Sequence, residues 1–420
     1  MFNPNRLDQI KLAAGKRILQ SGLALQFLEG QITRGLTQKP PNRVVAQFGI
    51  DLVKKLYADS SRKIVWTNVF FPSELLWGLG LVPFFPEIGA AVSAAIGFAD
   101  GAIERATAGN YAVDLCTFHR AAAGLTLEGI FPRADAFVST AHLCDVAGQN
   151  LANHAHAAQR KFYFVDIPTS TDDAAVDYVE KQLAVTAHEL CDALGVRYDI
   201  EGIHNAVHLS NLAWDAAQEQ LALRAARPAP LRGSEMISQI GLTVMLFGTE
   251  FGVDYHRALR DYVRERVTTQ TPEQPHQKTR LYWMHLRPYF GTEFMAHLED
   301  DLGAVIAFEE MSSIWWERLD EQRPFRALAR KMLANFCVGP VERRIEKALA
   351  HVARYECDGA VHFNHWGCRQ STGGLRVIRD AFMRAGIPFL QIDGDCIDSA
   401  NLQLGPLRTR VEAFLETVEK

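Results

Sequence analysis

Short, almost unbroken apolar runs recur along the chain: Lys63–Val69, Leu81–Phe85, Ala134–Thr140, Lys161–Pro168, Arg280–Leu286, Ala304–Glu309, Gly359–Phe363 and Pro388–Asp393. Such runs, rich in Val, Ile and Phe, predict strands buried on both faces. Between them the apolar positions return at helical spacing, as in Phe71–Gly80, residues 88–106, Cys116–Glu128, Phe294–Leu302, Glu342–Tyr355, Gly374–Phe382 and Arg408–Val418. Strand and helix in alternation predict parallel sheets joined by right-handed crossovers. Leu7–Leu28 and Asn42–Tyr57 carry helical spacing on either side of Pro40-Pro41. Residues 172–268 read almost entirely as helix, packed over the junction between two α/β units, and residues 269–279 read as a polar linker. The expected fold class is therefore α/β. A helical N-terminal segment (1–60) leads into a first parallel-sheet unit (61–170), a helical middle region with its linker (171–279) and a second parallel-sheet unit (280–420).

A length of 420 residues fits this plan. The net charge of −5 and the absence of any basic block interleaved with aromatics argue against a nucleic-acid partner. The opening Met1–Arg6 has no apolar core, so no signal peptide is expected. The most membrane-like stretch, Leu75–Ala99, is interrupted by Pro83, Pro86 and Glu87, and no membrane span is expected. Seven cysteines without a secretory signal predict reduced thiols in the cytoplasm.

Several common sites are missing from the sequence. There is no Gly-x-Gly-x-x-Gly after a strand, no P-loop, no Gly-x-Ser-x-Gly elbow, no zincin histidine pair and no Cys-x-x-Cys. What remains is Cys116, Cys144 and Cys368. Each is expected where a strand or loop gives way to a helix, the edge of an open α/β sheet where ligands collect. Thiolates suit soft metals and iron–sulfur clusters. The residues alone leave three readings open: a shared iron–sulfur cluster, a mixed zinc site with the nearby His119, His142 and His365, or unlinked buried thiols.

Five stretches together carry a resemblance. Trp66–Leu76 with Gly80-Leu81-Val82-Pro83 resembles the opening of the 2-hydroxyacyl-CoA dehydratase / benzoyl-CoA reductase family. Asp114–Arg120, Ser139–Asp145 and Asp358–Gln370 resemble its three cluster-cysteine motifs, and Ile387–Asp395 with Arg410–Leu415 is similar to its C-terminal end. The resemblance covers roughly residues 60 to 420. It implies two Rossmann-like domains with a 4Fe-4S cluster at their junction, held by Cys116, Cys144 and Cys368. It also implies an acyl-CoA substrate, a related second subunit (a heterodimer or larger assembly) and a separate ATP-dependent iron–sulfur activator. The implied reaction removes water from a (R)-2-hydroxyacyl-CoA through a ketyl radical. The alternatives are aromatic-ring reduction of the benzoyl-CoA reductase type, an electron-relaying partner subunit without catalysis of its own, and an α/β small-ligand binding protein with free thiols. A single cubane is expected, because Cys337 and Cys357 do not recreate the extra set of double-cubane members. Glu74 and His365 are the candidate catalytic residues. Glu74 is a candidate for proton transfer or substrate orientation against the plainer role of favouring the first turn of its helix, and His365 a donor to cluster sulfur or substrate against a core histidine. Arg120 and Arg369, next to cluster cysteines, are candidates to offset thiolate charge, solvated or salt-bridged arginines being the plainer account.

Overall fold

The computed structural model describes residues 39–291, 293–313 and 317–418. The helix expected over Leu7–Leu28 lies outside them. Asn42–Tyr57 falls on α1 (Pro40–Val53) and the π-helical turn Lys54–Ala58 that continues it.

All eight apolar runs form strands, in two four-stranded parallel sheets. The first contains β1 (Ile64–Thr67), β2 (Val82–Phe84), β3 (Ala136–Thr140) and β4 (Phe162–Val165), in the order β2-β1-β3-β4. The second contains β5 (Thr279–Met284), β6 (Ala304–Glu309), β7 (Gly359–His365) and β8 (Phe389–Gly394), in the order β6-β5-β7-β8. The two orders are the same. In each sheet the second strand lies to one side of the first and the third to the other, so the chain reverses direction between β1 and β3 and again between β5 and β7. Crevices at such reversals, beyond the carboxyl ends of the strands, are where open α/β sheets bind ligands. The interior strands β1, β3, β5 and β7 are buried throughout, as their continuous apolar sequence requires, whereas the edge strands β4 and β8 are partly exposed.

The helices in the first unit are α2 (Ser73–Gly78), α3 (Pro86–Ala95), α4 (Ala99–Ala108), α5 (Thr117–Leu127) and α6 (Asp145–Ala158). The single helix expected over 88–106 is two, α3 and α4. The break falls at Ile96–Phe98, where Gly97 takes φ +77°, and the alanine-rich sequence on both sides conceals it. The middle region folds as α7 (Asp173–Leu194), α8 (Ile200–Leu223), α9 (Gly233–Leu246) and α10 (Glu250–Thr269). Asp172, Asp199 and Thr249 cap α7, α8 and α10 by accepting from amides three residues on. The second unit adds α11 (Pro324–Ala334), α12 (Val341–Arg354), α13 (Arg369–Gly373), α14 (Leu375–Arg384) and α15 (Leu404–Val418). The helix expected over Phe294–Leu302 is a short α-helical piece, Glu293–Ala296, running into a π turn, His297–Asp301.

The middle helices meet both sheets' units. Gly202 of α8 lies against the backbone of Gly78 in α2, where an added Cβ would come within 2.1 Å of the Gly78 carbonyl oxygen. Gly233 of α9 lies against β6, where an added Cβ would come within 2.4 Å of the Ile306 carbonyl oxygen. The small-residue helices α3, α4 and α5 share a core with the second sheet: Ala90, Ala94, Ile103, Ala121 and Ala122 pack among Leu281, Trp283, Val361 and Phe363. This packing sets the head of α5, and with it Cys116, between the two sheets.

Candidate metal centre

Each of the three cysteines singled out in the sequence sits at the N-cap of a helix: Cys116 before α5, Cys144 before α6 and Cys368 before α13. Cys144 and Cys368 hold equivalent places, each following the third strand of its sheet. The loops converge. Gly367 lies so close to Cys116 that an added Cβ would fall 2.4 Å from the Cys116 Cα. Only a residue without a side chain lets the Cys368 loop pass there.

The sulfurs feel one another. Burial pushes the Cys116 thiol well above its ordinary range, and the neighbouring Cys144 and Cys368 raise it further against the opposing Phe118 amide. Cys144 is pushed up to about 12, first by burial and then by Glu87, opposed by the Ala147 and Val146 amides, with Cys368 adding to the rise. Cys368 is raised by burial, while the amides of Ser371 and Gln370 and the Arg344 guanidinium favour its thiolate. Helix N-termini and a buried cation thus lean toward the anionic form, but desolvation dominates.

Two imidazoles stand against the sulfurs. His365 Nε2 is 3.3 Å from Cys116 Sγ, and His119 Nε2 is 3.6 Å from Cys144 Sγ. His142 lies instead with its ring 5.6 Å from that of Phe70. It lines a cavity of about 20 Å³ together with Phe247 and Lys331.

Glu74 is fully buried in α2, but its partners are not the thiols. Its Oε1 takes the Lys331 ammonium at 2.5 Å and the Ser210 hydroxyl at 3.0 Å, tying α2 to α11 and α8. Lys331 also lies 3.6 Å from the centre of the Phe247 ring. Arg120 donates to the Val113 carbonyl at 3.1 Å and to Thr107 Oγ1 at 2.8 Å, bracing the loop that leads to Cys116. Arg369 is exposed. The cation that acts on Cys368 is Arg344, which sequence reasoning did not name.

A second group was also missed. Glu87, in the first turn of α3, is buried, and its carboxyl is pushed up to about 7 by desolvation against its own and the Val69 amides. Its Oε2 has no hydrogen-bond partner among the described residues. The signal was present in the sequence: an acid directly after Pro86, just past the end of β2, falls at the carboxyl edge of the sheet.

Among the described residues no three or more of His, Cys, Asp and Glu come close enough to share one metal ion. The donors nevertheless fit an iron–sulfur cluster, which joins sulfurs too far apart for a lone ion. Three soft donors lie near one another, Gly367 lets the Cys368 loop pass against Cys116, and buried polar atoms at the site, Glu87 Oε2 and Ser371 Oγ, lack protein partners among the described residues. No helix among the described residues is long and apolar enough to cross a membrane.

Residues 68–418 match the family described as 2-hydroxyglutaryl-CoA dehydratase, D-component. The chain is 20% identical to the (R)-2-hydroxyisocaproyl-CoA dehydratase alpha subunit of Clostridioides difficile over 92% of its own length and 98% of that protein's. It is 20% identical to the lactoyl-CoA dehydratase alpha subunit of Anaerotignum propionicum, covering 85% and 90% of the two chains. It is 23% identical to a benzoyl-CoA reductase subunit of Thauera aromatica, covering 86% and 90%.

Proposed function

Because the chain belongs to the 2-hydroxyglutaryl-CoA dehydratase D-component family, we propose that it is the iron–sulfur subunit of a (R)-2-hydroxyacyl-CoA dehydratase. The observation that carries the reading is the convergence of Cys116, Cys144 and Cys368 at the junction of the two sheets, each at a helix N-cap. Cys144 and Cys368 oppose the charge of Cys116, and Cys368 opposes that of Cys144. In this reading the three thiolates hold a 4Fe-4S cluster. Held there, such a cluster would supply a single electron and Lewis-acidic iron for the thioester of an acyl-CoA.

The rest of the work falls to the chain. The Phe118, Val146, Ala147, Gln370 and Ser371 amides and Arg344 favour the thiolate forms of the sulfurs against the cost of burial. Glu87, near neutrality and with one oxygen unpartnered among the described residues, holds or takes the proton that must move when the α-hydroxyl leaves a substrate ketyl radical. Glu74 serves from behind, fixing α2 through Lys331 and Ser210, and so acts on the position of the loop after β1. The assembly includes a related second subunit and draws its electron from a separate ATP-dependent iron–sulfur activator, in the cytoplasm. The likeness to the benzoyl-CoA reductase subunit favours aromatic-ring reduction as the second reading.

An assay of the anaerobically purified chain with its partner and activator decides. Dehydration returns the electron after each turnover, so ATP is needed only to prime it. Ring reduction consumes the electron, so ATP use tracks product. Absence of iron and sulfide from the purified chain rejects both.

A further inference from the structure

The two imidazoles at the thiols are locked in one tautomer by groups behind them. The backbone N–H of Cys396 donates to His365 Nδ1 at 3.2 Å. A main-chain amide always carries its hydrogen, so the nitrogen that accepts it carries none. The ring's proton therefore sits on Nε2, the atom 3.3 Å from Cys116 Sγ. The ring is held by a perpendicular contact with Phe118 at 5.5 Å. Asp395 lies 3.7 Å from Nδ1, but its Oδ1 is engaged by the Thr117 hydroxyl at 2.6 Å and the amides of Ile397 and Asp398 at 2.8 and 3.0 Å. The second ring repeats the arrangement. Asn150 Nδ2 donates to His119 Nδ1 at 3.5 Å, which leaves the Nε2 proton facing Cys144 Sγ at 3.6 Å. Both rings are almost fully buried, His365 at 1% and His119 at 3% exposure, so neither exchanges protons with bulk water directly. On Cys368 it is amides and Arg344 that act.

We propose that His365 and His119 are positioning residues that donate N–H···S hydrogen bonds to Cys116 and Cys144 and thereby raise the reduction potential of the cluster those sulfurs hold. The inference rests on the cluster reading above. Such bonds draw electron density from the thiolate sulfur and favour the more negative, reduced state of the cluster. Hydrogen bonds to sulfur are among the levers by which a protein sets that potential. The proposal also explains why two buried histidines are directed at thiols through the same nitrogen, with a hydrogen-bond donor fixed behind each.

The experiment is an EPR-monitored redox titration of the anaerobically purified full chain, its iron and sulfide measured in parallel. His365→Leu removes the donor and lowers the midpoint potential by about tenfold in the reduction equilibrium, ~59 mV for one electron. His365→Gln, which returns an N–H at the Nε2 end of the side chain, restores most of the shift. His119→Leu and His119→Gln behave as a second pair. Leu variants with full iron and sulfide at the parent's potential overturn the proposal, as do Gln variants that shift as far as Leu. Pulsed EPR of the unmutated chain labelled with ¹⁵N-histidine needs no variant to fold. A nitrogen coupling from the reduced cluster to imidazole supports the bonds, and its absence overturns them. A parent chain without iron and sulfide removes the cluster reading itself, and this inference with it.

Discussion

Two sets of ionisable groups are buried near the carboxyl ends of the strands, and they are balanced in opposite ways. At the end of β6, Glu309 is met by Arg224 through Nη1 at 2.6 Å and Nη2 at 2.5 Å. Glu310, the next residue, is met by Arg344 through Nε at 2.6 Å and Nη2 at 2.7 Å, and it also accepts the His285 amide at 3.0 Å. All four side chains are essentially inaccessible, and each carboxylate has a guanidinium fork. The thiol centre is different. Burial pushes Cys116, Cys144 and Glu87 toward their neutral forms, and Glu87 keeps an oxygen with no partner among the described residues. The first set is complete within the chain and explains itself as architecture. The second is left unbalanced, and an unbalanced buried donor set is what a ligand completes.

The sharpest way to break this contrast is to remove a member of the open set. Cys368→Ser is expected to lose most iron and the broad visible absorption of the anaerobically purified protein, and unchanged iron content would reject the assignment. Next comes a member of the closed set. Arg344→Met strands Glu310 in the interior and is expected to lower stability by about 3–5 kcal/mol, read as a shift of the denaturant midpoint. Pairing it with Glu310→Met is expected to recover much of that loss. Iron loss from the single variant would show that Arg344, through Cys368, serves both sets.

Glu87 gives a smaller and pH-dependent effect. Its folded pKa lies above the ordinary 4.5, so the folded chain holds this proton more tightly than the unfolded one. The stability from that proton is fully present below the unfolded value and is lost as pH rises through about 7. The loss is about 3 kcal/mol by linkage. In the metal-free chain Glu87→Gln is expected to flatten this slope, measured by denaturation at about pH 5 and pH 8. The same variant is expected to lose roughly 10²- to 10⁴-fold in turnover with its iron retained. Full activity with retained iron would exclude Glu87 as the proton carrier. The smallest effect belongs to a thiol outside both sets. Cys191, on α7, is packed in the core with Leu183 and Leu190, and Cys191→Ser is expected to leave iron content unchanged.

The strands were legible because parallel sheets bury both faces, and a run such as Ala304–Glu309 has no polar face to hide. The break between α3 and α4 was not, since the small residues on either side suit a continuous helix as well. α11 was not named in advance: its charged Arg326, Arg330 and Lys331 mask the buried Leu328 and Met332. The helix-start positions of the three cysteines were legible, because each stands where a strand or loop gives way to a helix. Glu74 stands in the motif that opens the resemblance, but its cation, Lys331, is 257 positions away and was not readable there. Arg344 and the unmatched state of Glu87 depend on the same kind of information, although the place of Glu87 at the sheet edge was readable. Whether a charge deep in the fold is matched is decided by tertiary contacts between distant segments, which no local pattern encodes.

Gly124 lies against α4 so closely that a Cβ there would fall 1.8 Å from the Ala102 carbonyl oxygen. Main chain therefore touches main chain where α5, the helix headed by Cys116, crosses its neighbour. A sulfur anchored by such a contact owes its place to the course of the backbone more than to the shapes of surrounding side chains. Those side chains are free to drift over evolutionary time while the anchor stays put, provided position 124 itself never acquires a methyl group.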